Sequence, residues 1–142
     1  MNATSAATAS AVTFVWLGMV LAISFLEAPL KFRAPGVSVR IGLGIGRLVF
    51  RALNIVECVL AATVVVAVAA GDAPGHVIAW TAAAGAVLIV QLAVIRPRLN
   101  RRSDRVLAGE DLPRSRGHLL YVGFEAAKVV ALLGLGVTLS AL

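Results

Sequence analysis

Apolar residues fall in four long runs along this chain, separated by Arg-rich or turn-forming segments. The first run covers about 7–28 and is uncharged until Glu27. Pro29 follows, which cannot continue the backbone hydrogen-bond ladder. The second covers roughly 48–70, behind a glycine-rich lead-in from Gly42. Gly71-Asp72-Ala73-Pro74-Gly75 reads as a turn. The third run, 77–95, has no formal charge and closes at Arg96-Pro97; the fourth is 119–142. A transmembrane helix needs ~20 residues, which each run supplies. None alternates in polarity as a membrane strand would. The pattern predicts an all-α integral membrane four-helix bundle in one domain, with no room for a soluble one. Met1 to Ser10 lacks the basic stretch of a secretory signal, so the first run is expected to be a retained helix.

Composition agrees. Hydrophobic residues make up 60% and charged residues 14%, against about a quarter charged in soluble domains. The net charge of +6 is a topology signal rather than a nucleic-acid footprint. Lys31, Arg33, Arg40 and Arg47 lie between runs one and two. Arg96, Arg98, Arg101, Arg102, Arg105, Arg114 and Arg116 lie between runs three and four. The N-terminus, the 71–76 turn and the C-terminus carry no Lys or Arg. The positive-inside rule then makes the two basic connections cytoplasmic and turns both termini outward. The Arg bias (11 Arg to 2 Lys) hints at a GC-rich bacterial source, so the expected location is a bacterial inner membrane. Arg98, Arg101, Arg102 and Arg105 are placed to meet anionic lipid headgroups, although setting topology already accounts for them.

Charges within the runs change the picture most, because each costs ~3 kcal/mol or more at mid-bilayer and normally faces protein or water. Arg47, Arg51 and Asn54 share one stripe of the second helix, with Glu57 on its flank. His118, Tyr121, Glu125 and Lys128 share a face of the fourth, Gln91 enters from the third, and Glu27 ends the first. Glu57 and Lys128 each stand nine residues in from the basic side, at ~13 Å depth, and are expected to pair. Arg51, Asn54, Gln91, Tyr121 and Glu125 would complete a polar pocket for a solute. The set Glu27, Arg47, Arg51, Glu57, Glu125, Lys128 sums to zero, as groups that neutralise one another should. Beyond that layer the outer half is nearly all Ala, Val, Leu and Gly, which argues against an open channel.

Weaker signals add little. Gly123, Ala127, Ala131 and Gly134 form a small-residue stripe that suits either packing within the bundle or a homodimer. Gly42-Leu43-Gly44-Ile45-Gly46 follows no strand and lacks nucleotide-loop spacing, so a flexible approach to the membrane is expected. Trp16, Trp80 and Tyr121 suit interfacial anchoring. Cys58 is alone, His76 and His118 fall on opposite sides, and no residues are expected to hold a metal or cofactor. No Ser–His–Asp set shares a depth, so a nucleophilic enzyme is not expected, and a membrane-embedded enzyme acting on lipid or quinone ranks behind a transporter or a scaffold.

Phe25 with Ala28-Pro29-Leu30-Lys31-Phe32, Arg96-Pro97-Arg98-Leu99-Asn100, and His118 heading the fourth run give the chain a distant similarity. It resembles small four-helix bacterial membrane proteins of unassigned function, and beyond them the membrane domain of copper-resistance protein D. The resemblance implies a four-helix architecture and the handling of a solute or metal. Two functions follow from the residues. One is a small transporter or solute-binding protein in which protonation of Glu57 or Glu125 accompanies binding. The other is a non-transporting assembly or scaffold subunit whose charges only fix helix pairing.

Overall fold

A computed structural model describes residues 1–112 and 116–142. Four helices long and apolar enough to cross a membrane make up most of the chain: α1 (Ala3–Lys31), α2 (Val39–Ala70), α3 (Gly75–Leu107) and α4 (Arg116–Ser140). No strand occurs among the described residues. Asn2 caps α1 by accepting from the Ser5 amide at 2.8 Å, and Ser38 caps α2 by accepting from the Ile41 amide. The α2–α3 turn passes through Asp72 at φ 53°, a left-handed conformation that Asp tolerates. Of the basic residues counted above, Arg114 and the Arg116 side chain lie outside the described residues.

Helix lengths correct the expected boundaries. Pro29 does not end α1, Arg96-Pro97 does not end α3, and the Gly42–Gly46 segment is not a flexible approach but part of α2. The prolines are absorbed by a widened turn. Leu21–Glu27 and Gln91–Ile95 are π-helical, and the amides of Ala28 and Arg96 bond to the carbonyls of Ile23 and Gln91, five residues back. A π-turn of this kind shifts the ladder where the proline ring would otherwise meet a carbonyl. The glycines of α2 admit neighbours instead. Phe32 lies over Gly42, leaving no space for a Cβ, and the Lys31 ammonium comes within 2.9 Å of where one would stand at Gly46. At 33 residues α3 is about 50 Å long, well beyond the ~30 Å hydrocarbon layer, so its Arg-rich end projects past it.

The helices form a ring in the order α1, α2, α3, α4. α1 packs closely along both α2 and α4, and α3 along α4, whereas α2 and α3 touch more sparsely. Two apolar layers fill the centre: Ala9, Val64, Val68, Val77 and Leu135 near the chain termini, and Trp16, Val20, Leu88 and Leu132 below them. Large apolar side chains such as Leu26, Ile55, Val66 and Ile89 point outward and the buried polar ones point inward, as suits a lipid solvent.

The two helical hairpins repeat one pattern at a spacing of 68 residues. Pro29 and Pro97, Thr13 and Thr81, and Glu57 and Glu125 correspond, as do the ends of the two π-turns at Glu27 and Ile95. Buried positions coincide as well: Ala9 with Val77, Trp16 with Ala84, Val20 with Leu88, Leu53 with Tyr121, and Val64 with Leu132. A half-turn about the bundle axis preserves this ring order and exchanges the hairpins.

Candidate functional site

The ionisable layer forms where the two hairpins meet. Lys128 of α4 and Glu57 of α2 are 0% exposed, and Nζ lies 2.6 Å from Glu57 Oε2. Glu125, one turn away on α4, approaches the same ammonium at 2.6 Å through Oε1. Gln91, at the first position of the α3 π-turn, accepts from Lys128 at 2.8 Å and donates through Nε2 to Glu125 at 2.7 Å. Three protons are all an ammonium has, and three acceptors surround it. From α1 the Trp16 indole donates to Glu57 Oε2 at 2.8 Å. Every helix thus contributes one or two members.

Lys128 is saturated, but the carboxylates are not. Glu57 Oε1 and Glu125 Oε2 are buried without a hydrogen-bond partner. With all three groups ionised, two carboxylates face one ammonium, and the cluster holds one negative charge in excess. A proton, or a solute bearing a positive charge or hydrogen-bond donors, would meet the need of those oxygens.

Other members of the expected pocket are elsewhere. Arg51 and Asn54 lie on the far flank of α2 and line a separate groove of ≈ 800 Å³ against α3, together with Arg47, Cys58, Arg96 and Asn100. Glu27 sits near Lys31 of its own helix at 3.7 Å, and Arg47 pairs with Asp104. The balanced set of six charges is therefore not assembled. Helical phase explains it: Arg51 and Asn54 are displaced around α2 from Glu57, toward α3 rather than the bundle axis. Tyr121 is buried edge-on to Phe50 with ring centroids 5.7 Å apart. The Arg96 guanidinium lies against both rings, 4.5 Å from the Tyr121 centroid and 4.7 Å from that of Phe50. Tyr121 therefore borders the groove's cation instead of anchoring at an interface.

Trp16 is the functional neighbour that interfacial reasoning missed. It is 2% exposed and bonded to Glu57. A depth count finds it: Trp16 stands thirteen residues from the start of α1, and Glu57 thirteen before the end of α2. Arg96, in the sequence a topology signal and the close of the third run, has its Nε and one terminal nitrogen buried and unpartnered at the groove. In the small-residue stripe, Ala131 is buried and Gly134 lies against the Trp80 ring, while Gly123 and Ala127 face outward. On the projecting end of α3, Arg98 and Arg101 are exposed and Arg105 pairs with Glu110 at 2.9 Å. His118 is exposed, and no group of three metal-ligating side chains occurs among the described residues. No protein-family model, no curated protein and no solved structure matches the chain.

Proposed function

We propose that this chain is a small transporter of the bacterial inner membrane that binds a polar solute at the Glu57–Lys128–Glu125 cluster and couples its binding to a proton. The observation that carries the reading is the odd charge count of a fully enclosed cluster between two repeated hairpins. In secondary transporters, substrate and coupling-ion sites lie near the midplane at the interface of structural repeats, beside helices interrupted at corresponding positions. The paired π-turns before Pro29 and Pro97 are such interruptions, and Gln91 belongs to one of them. The basic connections face the cytoplasm in this reading and both termini face outward. The excess negative charge selects a small solute with a positive charge or several donors, and a proton competes with it for the orphaned oxygens of Glu57 and Glu125.

A second reading has its own support. All three protons of Lys128 are taken up within the protein, as expected of a scaffold subunit whose buried charges only fix helix pairing. Electrophysiology of proteoliposomes on a solid support separates the two. Small ammonium and amide solutes are added under an imposed pH gradient, to wild type and to Glu125→Gln. Under the transport reading, wild type passes charge with at least one solute class or, where a proton exchanges for an ammonium solute and no net charge moves, shifts the pH inside the liposomes. The variant, whose cluster is neutral, keeps the same Tm and does neither. Silence of folded wild type towards every solute leaves the scaffold reading.

A further inference from the structure

The four-helix ring has two seams that the internal repeat makes equivalent, α4 against α1 and α2 against α3. They are not alike. α4 packs along α1, whereas α2 and α3 meet sparsely and leave between residues 44–58 and 92–100 a groove of ≈ 800 Å³, within the ~300–1,000 Å³ typical of ligand sites. At the repeat spacing, four polar positions of the groove correspond to four apolar ones in the closed seam: Arg51 to Leu119, Asn54 to Val122, Arg96 to Ala28, and Asn100 to Phe32. At these four positions polar groups stand in only one of the two interfaces, and that interface is the open one.

The charges there are uncompensated. Arg47, at the mouth, has Asp104 as counter-ion. Among the described residues, no carboxylate lines the groove beside Arg51 and Arg96. Arg51 lies six residues below Glu57 on α2, and Arg96 five below Gln91 on α3, so a rise of about 1.5 Å per residue sets both in one layer some 8 Å from the cluster. The two aromatic rings hold the Arg96 guanidinium, and two of its nitrogens have nothing to bond. Two planar guanidiniums in one layer suit the oxygens of a phosphodiester. The remaining walls are apolar, with Leu92 on one side and Ile55, 60% exposed, turned to the bundle's exterior.

We propose that the α2–α3 groove seats one anionic phospholipid of the leaflet at the Arg-rich end. Its phosphate lies on Arg51 and Arg96, Asn100 hydrogen-bonds to the headgroup and Asn54 to a glycerol ester, and an acyl chain lies over Ile55 and Leu92. The site is independent of what the enclosed cluster transports, because none of its residues belongs to that cluster.

Native mass spectrometry and thermal unfolding of the full chain in neutral detergent test this, with added phosphatidylglycerol, phosphatidylcholine of the same chain length, or inorganic phosphate. Phosphatidylglycerol is expected to give one retained lipid per chain and a raised Tm, and the other two are expected to give neither. Arg51→Gln should weaken the phosphatidylglycerol effect at least tenfold, and Arg96→Gln should do the same. Arg105→Gln, on the exposed end of α3, should leave it unchanged. Because Arg51 is exposed, its variant folds, and an unaltered lipid response in that variant overturns the proposal. So do equal responses to phosphatidylcholine, a response to phosphate alone, or no lipid retention by wild type.

Discussion

Two sets of charges lie within about 9 Å of one another along the bundle axis, and they obey opposite rules. In the enclosed cluster every charge faces one of opposite sign, the ammonium is saturated, and the surroundings are apolar layers. In the groove, Arg51 and Arg96 face each other's layer with no acid between them, and the wall opens sideways. The first arrangement answers to the bundle's own assembly. The second is incomplete without something from outside. Burial thus separates a charge that organises the fold from one that awaits a ligand, although both stand on the same helix, α2.

The sharpest way to break this contrast is to remove the centre of the enclosed set. Lys128→Met leaves two buried carboxylates without a cation and should cost about 3–5 kcal/mol, read as loss of the folded, monodisperse protein or a large fall in Tm. Adding Glu57→Gln and Glu125→Gln to that variant should recover most of the loss, because no charge then remains to be compensated. If the triple variant stays as unstable as the single one, packing around the lysine stem, and not charge, holds the centre.

A smaller effect is expected at the indole. Trp16→Phe removes a hydrogen bond to an ionised group while keeping an aromatic ring, and should cost about 2 kcal/mol in SDS or thermal unfolding. A negligible change would mean that the Trp16–Glu57 bond is incidental to the cluster. The smallest effect belongs to the groove. Arg51→Gln in lipid-free detergent should shift stability by no more than about 0.5 kcal/mol, because its side chain is exposed. Should it destabilise the protein as much as Lys128→Met does, Arg51 is structural and the distinction between the two regions falls.

Four helices were legible in the sequence because a twenty-residue apolar run has few other physical uses. The meeting of Glu57 with Lys128 was legible too, since depth along two helices rising from one side is a matter of counting. What could not be read was rotation about each helix. Arg51 and Glu57 share α2 less than two turns apart, and only the directions of the neighbouring helices decide that one faces α3 and the other the axis. Helix ends were misjudged for a different reason. Proline forbids one hydrogen bond, but a five-residue step supplies another, and nothing in Ala28-Pro29 or Arg96-Pro97 announces which will happen. The repeat was hidden because its halves share burial more than identity: Trp16 corresponds to Ala84, and Leu53 to Tyr121.

Among the places where that duplication breaks, one lies at the centre of the cluster, and much depends on it. Each hairpin sends a carboxylate to the middle, but the position matching Lys128 in the first hairpin is Leu60. Two first halves would therefore bring acid against acid with no cation, while two second halves would crowd a pair of ammonium groups beside a pair of acids. Only the mixed combination yields a single base gripped from both sides. One leucine-to-lysine difference gives the molecule a left and a right, so that a nearly twofold object accepts its halves in just one pairing.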